Sequence, residues 1–169
     1  MHAAHSLKLI ISVLLFAGLS LSAFGQEAVV HGNGALEIFD AEGQANSPKW
    51  VMGWVAFMLL TFLVGVGFAF VRREARWLMA PIVLGFVAIF TFFYVSGSPE
   101  ISGLIATFHL VFWTPTLIML LPNRWFLKES SWFARWSGVL TFVILFSFVF
   151  DIRDAAIYLD HISGLGIFS

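Results

Sequence analysis

Four long apolar runs, each bounded by charge, proline or glycine, dominate the chain. The first runs from Trp50 to about Val71, after Pro48 and Lys49 and before Arg72 and Arg73. The second covers about 77–95, with Pro81 expected in its first turn, where a missing N–H costs little. The third covers 101–121, opened by Ser98-Pro99-Glu100 as cap, first proline and dipole-matched acid, and closed by Pro122 and Asn123. The fourth covers 132–157 and stays apolar to Phe150. Each is close to the roughly 20 residues needed to span hydrocarbon. The short connections predict antiparallel neighbours, and so an all-α membrane protein built as an up-down four-transmembrane-helix bundle. Small residues spaced by four, such as Gly65 and Ala69, Ser102 and Ala106, and Gly103 and Thr107, permit close helix approach.

The N-terminal pattern differs. His2, His5 and Lys8 precede a shorter apolar stretch, Leu9 to Phe24, and Ala23-Phe24-Gly25 places small residues before Gln26. Residues 1–25 read as a cleaved signal peptide. The competing reading is an uncleaved fifth helix. Residues 26–49 read as a polar periplasmic arm with little fixed structure, and 158–169 as a periplasmic tail.

Composition supports a lipid solvent. Of 169 residues, 60% are hydrophobic and 11% charged; mean hydropathy is +0.92. Soluble domains carry about 25% charged residues. Net charge is −1, and no basic run suggests nucleic acid. The absence of cysteine excludes disulfides, Cys-ligated metals and covalent c-type haem.

Charge also orients the spans. Arg72, Arg73, Arg76, Arg124, Lys128 and Arg135 fall on one side. Lys49 and Arg153 fall on the other once the signal is removed. The positive-inside rule then puts both mature termini in the periplasm of a bacterial inner membrane. Signal cleavage predicts the same orientation independently.

Few polar residues lie within the spans, and these mark the places for chemistry. His109 sits about eight residues, roughly 12 Å, inside the third span, a depth at which an ionisable group suggests function. Trp113 follows one turn later on the same face. Pro115 removes the hydrogen bond to the Val111 carbonyl, and Thr116 lies beside it. These residues are candidates to line a small polar cavity; the competing reading is a packing histidine. Asp151, Arg153 and Asp154 form the second candidate group. If the fourth span enters the membrane near Trp132, Asp151 reaches the far surface; if near Trp136, it lies level with His109. Asp151, Asp154 and Tyr158 share one helical stripe, whereas Arg153 points away, toward Glu100 or a neighbouring acid. His31 in the arm lacks a partner in sequence, so no metal site is expected.

The site candidates are therefore His109, Trp113, Thr116, Asp151, Arg153 and Asp154, read as an ion or proton relay or a ligand pocket. The expected function is non-enzymatic: an accessory subunit, or a small oligomeric proton/cation-linked permease. The lipid bilayer, a second copy or a partner membrane subunit are the expected partners. A redox subunit holding quinone or haem b, and a lipid-modifying enzyme, are the alternatives. Haem with two axial histidines lacks its second intramembrane His. No particular cofactor is indicated.

Overall fold

The computed structural model describes residues 30–168, so residues 1–25, read from the sequence as a signal peptide, lie outside the described residues. Within them the chain is helical. It forms α1 (Ala41–Asn46), α2 (Lys49–Val71), α3 (Arg73–Ser96), α4 (Ser102–Asn123), α5 (Trp125–Lys128) and α6 (Trp132–Ser163). The helices α2, α3 and α6, and α4 continued through α5, are long and apolar enough to cross a membrane, which suggests a multi-pass membrane protein.

Local chemistry explains the boundaries. Arg72 is extended (φ −126°, ψ 125°) and breaks α2 from α3. Gly97 ends α3 in the left-handed region (φ 64°), donating its N–H to the Phe93 carbonyl. Ser131 caps α6, its hydroxyl accepting from the Ala134 N–H at 3.1 Å. Gly164 closes that helix, again left-handed at φ 67°.

Three boundaries differ from the expected ones. Helix α3 starts at Arg73, so Pro81 lies inside it rather than in the first turn. Ser98 does not cap α4; that helix begins at Ser102. The last helix continues to Ser163 instead of giving way to a tail at 158. Its 32 residues make a rod of about 48 Å, longer than the ~30 Å hydrocarbon layer.

The arm is also more ordered than its composition suggested. The Gly32 N–H donates to the Ile38 carbonyl, and the Ile38 N–H to the Val30 carbonyl. The Phe39 N–H donates to Glu100, while the Ser102 and Gly103 N–H groups donate to the carbonyls of Glu37 (3.0 Å) and Ala35 (2.8 Å). The arm therefore supplies the N-cap that α4 lacks in its own side chains. Asp40 caps α1, accepting from Glu42 and Gly43.

The main core draws on all four long helices: Met58 and Phe62, Leu78 and Ile82, Trp113 and Leu120, and Trp136, Leu140 and Ile144. Helix α6 is central, with 50% of its most apolar window buried against 22% for α2. Close approach depends on missing side chains. A Cβ on Gly65 would lie 2.5 Å from Met79 Sδ and Trp136 Cζ2. A second cluster, Ile89, Phe92, Ile101, Leu104, Phe108 and Tyr158, fills the end of the bundle where the arm sits.

Candidate functional site

Every residue of the candidate site except Thr116 and Arg153 meets one of two neighbouring spaces at the arm end. The larger is a cavity of about 170 Å³ between the start of α2, the first two turns of α4, the later half of α6 and the arm. His109, Asp151 and Asp154 line it, with Ser102 and Ser147. Trp50, Trp54 and Phe150 form an aromatic wall, and Asn33 and Phe39 line it from the arm.

Helix geometry brings the pair together. His109 lies two turns into α4, and Asp151 lies twelve residues before the end of α6. The crossing of these helices is tight at Gly103, where a Cβ would meet the Tyr158 Cβ at 2.5 Å and the Asp154 carbonyl at 2.7 Å. One and a half turns deeper, the His109 Nδ1 lies 3.4 Å from Asp151 Oδ1 and 3.4 Å from Oδ2. Both side chains are largely buried, at 20% and 15% exposure. The contact is at the long end of hydrogen bonding. Asp151 Oδ2 is wholly buried and has no hydrogen-bond partner.

The other face of the imidazole is fixed by Trp113. The two rings stack at 3.9 Å and 16°. Trp113 is itself buried and meets Phe62 edge-on at 5.2 Å. A protonated His109 would gain a cation–π interaction from this indole, while a neutral one stacks. Gly85, Phe86, Ile89 and Phe108 bound a much smaller gap of about 10 Å³ around His109 and Trp113. That volume does not exceed one water.

Thr116 takes no part in the cavity. Its hydroxyl donates to the Leu78 carbonyl at 2.8 Å and is fully buried, so it ties α4 to α3. Arg153 is 73% exposed and reaches its neighbour Asp154 at 3.2 Å, not Glu100. It partly neutralises Asp154 and leaves Asp151 to His109. Asp154 lines the cavity beside them, 19% exposed. Pro115, inside α4, has no N–H to donate to the Val111 carbonyl, and the Thr114 hydroxyl donates to the Leu110 carbonyl.

The arm carries a second acid–histidine pair. His31 Nδ1 lies 3.0 Å from Asp40 Oδ1, and its Nε2 lies 4.0 Å from Glu42. The hydrogen bond to Asp40 raises the His31 pKa above its ordinary 6.5. Asp40 is held below the ordinary carboxylate value by the Gly43 N–H first and by His31 second. His31 thus serves the fold of the arm. Among the described residues no group of three His, Asp or Glu side chains is placed to hold a metal ion.

Sequence reasoning missed Trp50, Trp54, Asn33 and Phe39 as cavity walls. The two tryptophans fall in the first turns of an apolar run, and nothing in the arm marks a residue that folds back over the helices. Comparison with protein-family models, with curated proteins and with solved structures returns no match for this chain.

Proposed function

We propose that this chain is an up-down four-span protein of the bacterial inner membrane, with both mature termini periplasmic. In this reading it is a proton/cation-linked permease that acts as an oligomer or with a partner membrane subunit. The observation that carries the reading is the His109–Asp151 pair on the wall of a cavity at the arm end. A carboxylate inside a spanning helix is costly unless neutralised. A proton shared with His109 neutralises it in one state, and a bound cation does so in another. The two states exchange one charge for another without moving the fold.

The need for a second chain follows from the rest of the core. Below His109 the space is filled by Trp113, Phe62, Leu140 and Ile144. These side chains pack together among the described residues, so in this reading a second copy or a partner subunit supplies the remainder of the path. The test is proton flux in vesicles holding the full chain. His109→Ala should abolish pH-dependent flux; a variant that keeps full pH-dependent flux refutes the reading.

The aromatic wall of Trp50, Trp54 and Phe150 beside His109 favours one second reading, a redox subunit that takes a quinone ring. The visible spectrum and quinone content of the purified protein separate the two readings. A Soret band or tightly held quinone would favour the redox subunit.

A further inference from the structure

We infer that the cavity at the arm end binds a small protonated amine carrying one apolar ring, in exchange for the proton of the His109–Asp151 pair. This inference rests on the proton-pocket reading and names its cation.

Size comes first. A drug-sized ligand occupies about 300–1,000 Å³, so a cavity of about 170 Å³ is too small for one. An apolar cavity of about 150 Å³ takes a benzene ring. The space therefore suits one ring and a short polar group. It does not suit a whole lipid.

Charge comes second. Asp151, Asp154 and His109 line the cavity, and among the described residues no Lys or Arg does. Arg153 faces outward and pairs with Asp154. The titratable groups facing His109 are thus Asp151 and Asp154 from α6; the α2 and arm walls contribute only aromatic, apolar and amide side chains. The lining favours a cation. Its aromatic members, Trp50, Trp54, Phe39 and Phe150, add quadrupole attraction for ammonium.

Hydrogen bonding comes third. Beyond the long 3.4 Å approach of His109 Nδ1, the buried Asp151 Oδ2 has no hydrogen-bond donor. A buried acceptor without a donor is costly. An ammonium N–H supplies that donor, whereas a neutral carbonyl ligand would add another acceptor. A bare metal ion would find too few ligands.

Exchange follows from charge balance. With the cavity empty, the proton on the pair offsets the Asp151 charge. When an ammonium enters, it takes over that task and the proton leaves to water. Linkage then makes affinity rise by up to about tenfold per pH unit across the titration of the pair.

The experiment uses the full chain in lipid nanodiscs, with binding read by calorimetry from pH 6 to 8. The probes are benzylammonium and benzyl alcohol, which differ by a charged nitrogen against a neutral oxygen. Benzylammonium should bind at least tenfold tighter than benzyl alcohol and release protons on binding. Asp151→Asn should weaken it at least tenfold and remove the pH dependence, while His109→Gln shifts the pH range of that dependence. Trp54→Leu, which keeps every charge, should weaken it several-fold and serves if the Asn variant fails to fold. Equal binding of the two probes, no binding at all, or unchanged affinity in Asp151→Asn overturns the inference. NMR titration of His109 in the wild type and Asp151→Asn proteins separates the two failures. If that titration is coupled to Asp151, only the amine assignment falls; if it is not, the proton-pocket reading falls too.

Discussion

Gly103 offers the sharpest test of the packing that creates the site. In Gly103→Ala the new methyl would lie 2.5 Å from the Tyr158 Cβ and 2.7 Å from the carbonyl oxygens of Ala35 and Asp154. Ordinary contacts lie at about 3.5–4.0 Å. Two of the three neighbours are backbone atoms, one on the arm and one on α6, and neither can rotate away. Overpacking of this kind costs about 1–3 kcal/mol, and the two backbone oxygens place it near the upper end. The control is Gly67→Ala, where nothing lies within 4 Å. There a helix-favouring change gains up to about 1 kcal/mol. The two alanine variants should therefore differ by about 3 kcal/mol in reversible unfolding in detergent micelles, followed by tryptophan fluorescence. Gly103→Ala should also weaken amide protection at Ser102, because the arm must shift to admit the methyl. Equal stability of the two variants would refute the tight crossing of α4 and α6, and with it the placement of His109 beside Asp151.

Other consequences are equally direct. A double-mutant cycle on His109 and Asp151 should give a coupling of about 1 kcal/mol, below the ~1.5–3 kcal/mol of a well-made hydrogen bond to a charged group, because 3.4 Å is long; thermal unfolding of the four proteins measures it. Thr116→Val should cost about 1 kcal/mol by losing the bond to the Leu78 carbonyl, with proton flux unchanged. Arm docking should depend on pH. The raised His31 stabilises the folded arm fully below 6.5, its unfolded value, and loses that effect as pH rises through the higher folded value. The depressed Asp40 stabilises it above 3.8 and loses that effect as pH falls through the lower folded value. Protection of the Ser102 and Gly103 amides, taken relative to their intrinsic exchange at each pH, should thus be highest between about pH 4 and 6.5, and His31→Ala should remove its decline on the alkaline side.

The four long helices were legible because hydropathy, prolines and charge all mark the same boundaries. Gly65 and Gly103 were legible as points of close approach from their spacing. The His109–Asp151 contact was not decided by sequence. It depended on where the fourth span enters the bundle, and a shift of one turn at Trp132 or Trp136 moves Asp151 by about 5.4 Å. Pro81 was misplaced because Arg73, Glu74 and Arg76 read as loop, although charged residues with good helix propensity simply extended the helix. Ser98 was expected as a cap because its local motif fits one. The arm defeated local reasoning altogether, since its partners at Glu100, Ser102 and Gly103 lie about 65 residues away and no period or motif encodes them.

That long-range pairing explains why a polar, glycine-rich segment is ordered at all. Helix α4 begins with no capping side chain, so its first N–H groups need acceptors from elsewhere. Ala35 and Glu37 provide them, and Asn33 and Phe39 in the same stretch line the cavity. One docked segment therefore both caps α4 and walls the cavity. Releasing the arm would bare the start of α4, widen the cavity and hydrate Asp151 at once. Docking of the arm thus sets how far the His109–Asp151 contact meets water. An arm held down by a disulfide between cysteines placed at Ala35 and Tyr158, both of which crowd the position of a Cβ on Gly103, should slow exchange of the buried pair with bulk water. Faster His109 titration kinetics in the locked protein than in its reduced form would break that link.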